Sequence, residues 1–399
     1  MDDLFDFFYR QLRKTDVSFQ RYLIDEIYWN GRLSAITGAR GTGKTTMILQ
    51  HIKKTFGNAP KEALYVSLDN IWFSGNRLFD LANNFAQMGG KFLFIDEVHK
   101  YENWSQEIKN IYDCFTELKV VFTGSSMLEI YKGNADLSRR AVHYILHGMS
   151  FREFLKYDQN LDFEKYTLSD VLQNHIQIAS DMNEKIRPLP LFNNYLKQGY
   201  YPYSKDDKRF YLSKLANTVN LILETDLPAV EPIEMYSIRK IKKLLWLISQ
   251  SVPFTPKITD LAANLGVSRN SLLNYLAILE RGELINLLQG GSSKGISSLA
   301  KPEKIYLNNT NLIYAFDANK PNIGNLRETF FFNQLKTVGD VTSANRADFT
   351  LDKNYVFEVG GKNKGHEQIV GLDNAFIVID NVEYGYGNKI PLWLFGMFY

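Results

Sequence analysis

An α/β protein, built on a parallel sheet and followed by helical and mixed modules, is what the 399-residue sequence predicts. Three observations predict it. Four short apolar runs recur between Leu33 and Thr123 without polar alternation, helical stretches separate them, and the first run opens directly into a glycine-rich loop. Strands buried on both faces read as continuous apolar runs, and intervening helices supply the crossovers of a parallel sheet.

Taken in order, Leu33–Thr37 is the first strand and Lys44–Lys54 the first helix, with Met47, Ile48, His51 and Ile52 near helical spacing. Ala63–Leu68, Phe92–Ile95 and Val120–Thr123 are the second, third and fourth strands. The loop after the first strand is Gly38-Ala39-Arg40-Gly41-Thr42-Gly43-Lys44-Thr45, a G-x-x-x-x-G-K-[ST] match between a strand and a helix. Glycines let main-chain N–H groups turn inward around phosphate oxygens, and the helix points its positive end at the same anion. Lys44 is expected to reach the β- and γ-phosphates and Thr45 to complete a Mg²⁺ shell. ATP is therefore the expected ligand of Gly38, Ala39, Arg40, Gly41, Thr42, Gly43, Lys44, Thr45 and Thr46, with Mg²⁺ beside it.

The third strand ends in Asp96-Glu97. Asp96 stands where such a fold needs its second Mg²⁺ partner, and Glu97 is placed to polarise a water for attack on the γ-phosphate. The pair favours hydrolysis over transfer to a small molecule. The fourth strand ends Thr123-Gly124-Ser125-Ser126, where a polar side chain would sense the γ-phosphate; Ser125 is the first choice and Thr123 the second. Arg140, in Leu137-Ser138-Arg139-Arg140, is a candidate arginine finger for a neighbouring subunit, which implies a homo-oligomer.

Phe151–Tyr157 and Leu168–Asp181 read as helices, with Pro188 and Pro190 marking a break. Phe210–Thr225 is again helical and Asp226-Leu227-Pro228 ends it. From Ser237 to Ile305 the charge shifts, with ten Lys or Arg against four Asp or Glu, in a chain whose net charge is only +2. Inside this basic stretch Ile258–Leu265 is a short amphipathic helix, Gly266-Val267 a turn and Ser268 an N-cap. Leu272, Leu273, Leu276 and Leu279 then line a second helix. Glu283–Leu288, a Gly-Ser tip and Lys304–Leu307 complete a wing. Arg269, Asn270, Ser271 and Asn274 would face a DNA groove at the start of the second helix. A lid or protein-contact role is the alternative for this unit.

Near the C-terminus Gly324–Leu335 is a helix, Ala347–Thr350 a strand start, Asp352-Lys353-Asn354 a turn and Tyr355–Val359 the return strand. That hairpin sets Asp348 and Glu358 opposite each other on one face. With Glu328 they could hold Mg²⁺ for phosphodiester hydrolysis, and Lys362 could orient a water or neutralise a phosphate. A nuclease of this kind usually has Glu, one residue, then Lys; here three residues separate Glu358 from Lys362.

Composition narrows the class. Hydrophobic residues make up 45% and charged residues 23%, enough apolar surface to exclude a dominantly disordered chain; 26 Gly and 11 Pro exclude a collagen-like one. Cys114 is the only cysteine, which excludes an intrachain disulfide and a cysteine zinc site. Met1–Lys14 lacks the basic start and apolar core of a signal peptide, and no run reaches the ~18 apolar residues of a membrane span. A cytoplasmic protein without a membrane partner is the expectation.

Gly38–Thr45, Phe92–Lys100, Val121–Ser126 and Ser150–Phe154 together resemble the bacterial and archaeal AAA+ ATPases related to the STAND and origin-recognition groups. Lys304–Leu307, Gly324–Phe330 and Phe357–Gly365 resemble the domain of unknown function that these ATPases carry, which is similar to the PD-(D/E)XK nuclease fold. The resemblance implies a P-loop AAA+ core over 1–160, a helical lid over 161–228, a winged-helix-like domain over 229–307 and a nuclease-like domain over 308–399. It implies an ATP-dependent protein linked to mobile DNA or defence. Lys44, Thr45, Asp96 and Glu97 carry over, as does Arg140, although Arg139 replaces the usual preceding glycine. Glu328, Asp348, Glu358 and Lys362 carry over as nuclease-like positions. Three functions are thus in play: an ATP-hydrolysing switch coupled to DNA-associated domains, an ATP-gated Mg²⁺-dependent nuclease, and a DNA-binding scaffold that only senses ATP.

Overall fold

The computed structural model describes residues 1–125, 137, 139–205, 207–230, 233–250, 253, 255–291, 302–317 and 321–399. Ser126, Ser138 and most of the expected Gly-Ser wing tip lie outside them. The chain divides into two units, Met1–Gly148 with Glu224–Pro232, and Met149–Leu223 with Ile233–Tyr399.

The first unit opens with α1 (Asp2–Lys14), whose Leu4, Phe8 and Leu12 recur every fourth residue and are buried. Asp2 and Asp3 in its first turn and Arg13 and Lys14 in its last complement the helix dipole. Then follow β1 (Leu33–Thr37), α2 (Lys44–Phe56), β2 (Ala63–Ser67), α3 (Leu78–Gln87), β3 (Phe92–Asp96), α4 (Trp104–Cys114), β4 (Lys119–Thr123) and β5 (Val142–Ile145). The strands form one parallel sheet in the order β2-β3-β4-β1-β5. All five residues of β1 are buried, as a strand covered on both faces requires. Every expected strand is present and the α/β class with a parallel sheet is the one observed. Because all strands run the same way, the glycine loop after β1, Glu97 after β3 and Ser125 after β4 emerge at one edge.

The second unit contains α5 (Phe151–Gln159), α6 (Leu168–Asn183), α7 (Pro188–Gln198) and α8 (Tyr211–Leu221). Ser150 and Glu153 form a reciprocal capping box at α5, worth about 1 kcal/mol. Pro188 and Pro190 do not simply interrupt the chain: Pro188 is the first residue of α7, where a missing N–H costs nothing. Beyond α8 the chain widens into a π-helical turn, Ile222–Asp226, and continues helical through α9 (Leu227–Val230), past the expected stop. Residues Glu224–Pro232, which include α9, belong to the first unit.

The rest of the second unit is α10 (Met235–Ser249), α11 (Ile258–Leu265), α12 (Arg269–Arg281), β6 (Ile285–Gly290), β7 (Lys304–Leu307), α13 (Thr310–Phe316), α14 (Ile323–Leu335), β8 (Val341–Ser343), β9 (Phe349–Leu351), β10 (Tyr355–Gly360), β11 (Ala375–Ile379) and β12 (Lys389–Pro391). The helix–turn–helix forms as read. Gly266 takes the left-handed C-cap of α11 at φ 61°, and the Ser268 side chain accepts from Ser271 N–H. Leu272, Leu276 and Leu279 are buried, whereas Leu273 is only half-buried. The wing strands β6 and β7 pair antiparallel, but β6 also pairs with β8. One seven-stranded sheet results, β12-β11-β10-β9-β8-β6-β7. The expected boundary at 307/308 therefore falls inside a continuous sheet, and that at 160/161 inside the second unit.

Candidate functional site

Three loop glycines adopt backbone that side chains avoid: Gly38 at φ 149°, Gly41 at 87° and Gly43 at 96°. A Cβ on Gly38 would collide with the Leu146 carbonyl, so the loop cannot take its path with another residue there. Buried Arg21 donates to the carbonyls of Thr42 and His147 (2.7 Å to the latter), tying the loop to the end of β5. Thr42 Oγ1 donates to Ala39 O at 2.9 Å. Lys44 is buried, and its Nζ donates to the carbonyls of Gly38 (2.7 Å) and Ala39 (3.0 Å). Its ammonium thus lies over the loop it was expected to serve. Gly41 and Thr46 are exposed and Ala39 is buried.

The Thr45 hydroxyl donates to Asp96 Oδ2 at 2.5 Å, joining the glycine loop to the end of β3. Tyr65 OH donates to the same oxygen at 2.8 Å, and Thr123 Oγ1 donates to Asp96 Oδ1. Burial first, then the Asp96 charge and hydrogen bond, push the Tyr65 phenol well above its usual pKa. Glu97 stands at φ 54°, outside ordinary L-residue backbone, with its N–H 3.3 Å from Thr123 Oγ1. Thr123, the second choice from sequence, engages both acids through its hydroxyl; Ser125, the first choice, is half-buried two residues further on. The difference follows from register: Thr123 is the last residue of the strand beside β3, whereas Ser125 lies beyond the sheet.

Arg140 is held elsewhere. Its Nε lies 3.2 Å from Asp113 Oδ1, next to the start of β5, where Val142 is level with Ser34. That is the end of the sheet opposite the glycine loop, out of reach of the chain's own Lys44.

A group that the sequence reading passed over completes the site. Asp226 reaches back from the end of the π turn. Arg40 Nη1 donates to both its oxygens at 2.9 Å, Lys100 Nζ donates to Oδ1 at 2.9 Å, and His99 Nε2 lies 3.8 Å from Oδ1. His99 Nε2 also lies 3.2 Å from Glu97 Oε2. Burial opposes ionisation of Asp226, but nearby His99 and the hydrogen bonds from Lys100 and Arg40 outweigh it and hold the carboxyl well below the usual range. No local pattern announces this residue, because its partners are 126 and 186 residues away in sequence.

The donors present fit a triphosphate with a hard divalent cation. The glycines leave main-chain N–H groups and the α2 N-terminus free of side-chain bulk, Lys44 is at hand, and Thr45 with Asp96 offers oxygen atoms only.

The carboxylates of the second unit also meet. Asp348 N–H donates to Phe357 O across the β9–β10 hairpin, which sets Asp348 beside Glu358 as read. Their cations are not the expected ones. Lys304, from β7, lies 3.3 Å from Glu328 Oε2 and 3.2 Å from Asp348 Oδ1, and Tyr306 OH donates to Glu328 at 2.6 Å. Glu358 pairs with Lys364, while Lys362 is exposed. Gly360 explains this: a Cβ there would press on the Lys364 stem at 2.7 Å, so only glycine lets Lys364 fold back over the strand end. Burial, reinforced by Asp348, raises the pKa of Glu328; burial also raises that of Glu358. Lys304 is raised too, since its two carboxylates outweigh the burial that opposes its charge. No group of three or more His, Cys, Asp or Glu suited to a metal ion occurs among the described residues. On α12, Arg269, Asn270 and Asn274 are exposed and Ser271 is half-buried. No described helix is long and apolar enough to cross a membrane.

Comparison with known proteins adds the following. Residues 30–155 match the family model described as an AAA domain, a stretch that holds β1–β5, the glycine loop and the acid pair. Residues 189–322 match one described as a domain of unknown function (DUF8612). An uncharacterized protein of Methanocaldococcus jannaschii is 26% identical over 291 residues, covering 69% of this chain and 61% of that protein. The chain thus spans about three-fifths of the length of this curated relative. Among solved structures, AMPPCP-bound DnaA from Aquifex aeolicus is similar at 14% identity and a TM-score of 0.27, over 65% of this chain and 84% of that one. PCH-2 of C. elegans is similar at 16% identity and a TM-score of 0.25, over 70% and 67%.

Proposed function

We propose that the chain is an ATP-binding and ATP-hydrolysing switch coupled to a DNA-associated second unit. The observation that carries this reading is the Thr45–Asp96 hydrogen bond: it brings the hydroxyl of the glycine loop and the acid of the neighbouring strand end to one point, 2.5 Å apart. Main-chain amides of Gly38–Thr46 and the Lys44 ammonium bind the phosphates; Thr45 and Asp96 hold Mg²⁺, which when bound shields phosphate charge as a Lewis acid. Glu97 takes the proton of the attacking water. Thr123 orients Asp96 and Glu97 through its hydroxyl. The AAA-domain match over the same residues supports the assignment. Arg140, at the far end of the sheet, acts only on a neighbouring copy in this reading, which makes the active form an oligomer.

Basic α10 and the exposed Arg269, Asn270 and Asn274 at the start of α12 support DNA as the partner of the second unit. The scaffold alternative, DNA binding with negligible phosphate release, shares that surface and differs only in turnover. A Mg²⁺-dependent nuclease is the weaker reading, because Lys304 already bridges Glu328 and Asp348 and Lys364 already neutralises Glu358. Phosphate release by the wild type and by Lys44→Ala, each with and without DNA, tests the proposal. Turnover that is lost in Lys44→Ala and altered by DNA supports it; equal phosphate release by the two proteins refutes it.

A further inference from the structure

Asp226 has the features of a working group rather than a surface ion pair. Its side chain is 2% exposed, and it arrives from a segment that follows the helices of the second unit in sequence. Its partners come from both halves of the nucleotide site. Arg40 sits inside the glycine loop, between Gly38 and Gly41, whereas His99 and Lys100 follow Glu97 by two and three residues. One carboxylate therefore bridges the loop to the strand end, as Thr45–Asp96 does with other residues.

The imidazole is the link to the chemistry. His99 is fully buried, and its Nε2 faces Glu97 Oε2 at 3.2 Å and Asp226 Oδ1 at 3.8 Å. One nitrogen between two carboxylates has one hydrogen to give. Neither ring nitrogen of His99 makes a hydrogen bond as the groups stand, so the position of Asp226 bears on which carboxylate the imidazole can engage; the Glu97 side chain is a quarter exposed and its backbone is already in an unusual conformation. Arg40 and Lys100 are 34% and 20% exposed.

We infer that Asp226 is a positioning residue for the proposed hydrolysis, setting Glu97 through His99 and holding Arg40 and Lys100 at the glycine loop. The inference rests on the ATPase reading above and names a control point of that same site. Movement of segment 224–232 would then change turnover without touching the phosphate-binding amides. A π-helical turn, a feature often found at functional sites, is the element that carries the residue.

The test uses the full-length chain as wild type, Asp226→Asn, His99→Gln and the double variant. Phosphate release gives kcat and KM, a fluorescent ATP analogue with Mg²⁺ gives Kd, and thermal melting reports the fold. The expected result for Asp226→Asn is a kcat reduced about tenfold to a hundredfold, with Kd within about threefold of wild type or tighter. The double variant should be no slower than the worse single, because both act through one contact. Wild-type kcat in Asp226→Asn overturns the inference. So does a joint loss of Kd and melting temperature, which would make the bridge merely structural. A wild type that neither binds the analogue nor releases phosphate defeats the ATPase reading and this inference together.

Discussion

The two units each gather three carboxylates among cations, and the outcomes differ. At the glycine loop Asp96 is bonded by hydroxyls, Glu97 lies beside His99, and Asp226 pairs with Arg40 and Lys100 and is driven toward its charged form. In the second unit Glu328, Asp348 and Glu358 face Lys304 and Lys364, and the two glutamates are driven toward their neutral forms. The first cluster draws its members from strand ends and loops, so it opens onto main-chain amides that accept a further anion. The second draws them from strands and a helix, and lysine ammonium groups already pair with all three. A set of acids and lysines is thus no indicator of chemistry by itself; what decides is whether the elements leave room and unspent donors.

Substitutions separate the two cases. Glu97→Gln should cut phosphate release by about 10²–10⁴ while nucleotide still binds, the cost of losing a general base; near-normal kcat in the purified variant would remove Glu97 from the mechanism. Lys44→Ala should weaken binding of an ATP analogue by roughly a hundredfold, as expected for one charge-assisted contact to phosphate; a titration giving the wild-type Kd would break the proposed pocket. In the second unit the effect should fall on stability. Lys304→Met leaves Glu328 and Asp348 facing each other without their shared cation and should cost about 2 kcal/mol in denaturant unfolding, with ATP turnover unchanged. Mg²⁺-dependent DNA cleavage that Asp348→Ala abolishes would erase the contrast.

Thr123→Val should slow hydrolysis about tenfold and Ser125→Ala much less, since Thr123 is the residue whose hydroxyl engages Asp96; the reverse ranking would restore the expectation from sequence. The smallest effect is a pH slope. The Asp226 pKa is depressed on folding, so its contribution is full above the ordinary carboxylate range and fades as pH falls below it. Glu328 is raised, so its contribution is largest at acid pH and is lost as pH climbs through the folded value. Asp226→Asn should therefore cost the same at pH 7 and pH 5, and Glu328→Gln more at pH 5 than at pH 7.

What sequence revealed follows the range of the interactions. The strands, the loop, Asp96 and Glu97 are local patterns, and apolar runs or glycine spacing state them directly. The hairpin that sets Asp348 beside Glu358 is equally local, since its turn places Asp352 and Lys353 in left-handed backbone. Asp226, Arg21, Lys304 and Lys364 escaped because each is defined by a partner that folding supplies. Lys304 meets residues 24 and 44 positions away, and Asp226 meets Arg40 across 186. The sheet that runs across 307/308 escaped for a similar reason: the pairing of Gln289 with Thr342 that joins β6 to β8 has no signature in either segment.

That pairing has a mechanical consequence. A hairpin joined to nothing else could tilt α12 by itself. Here β6 pairs with β7 over Ile285–Leu288 and with β8 at Gln289 and Gly290, so the hairpin that follows α12 belongs to the same sheet as β9 and β10. Among the described residues, two residue pairs are thus all that join the hairpin to the rest of the sheet, and a proline at Gln289, which removes a ladder N–H, is the change that would part them.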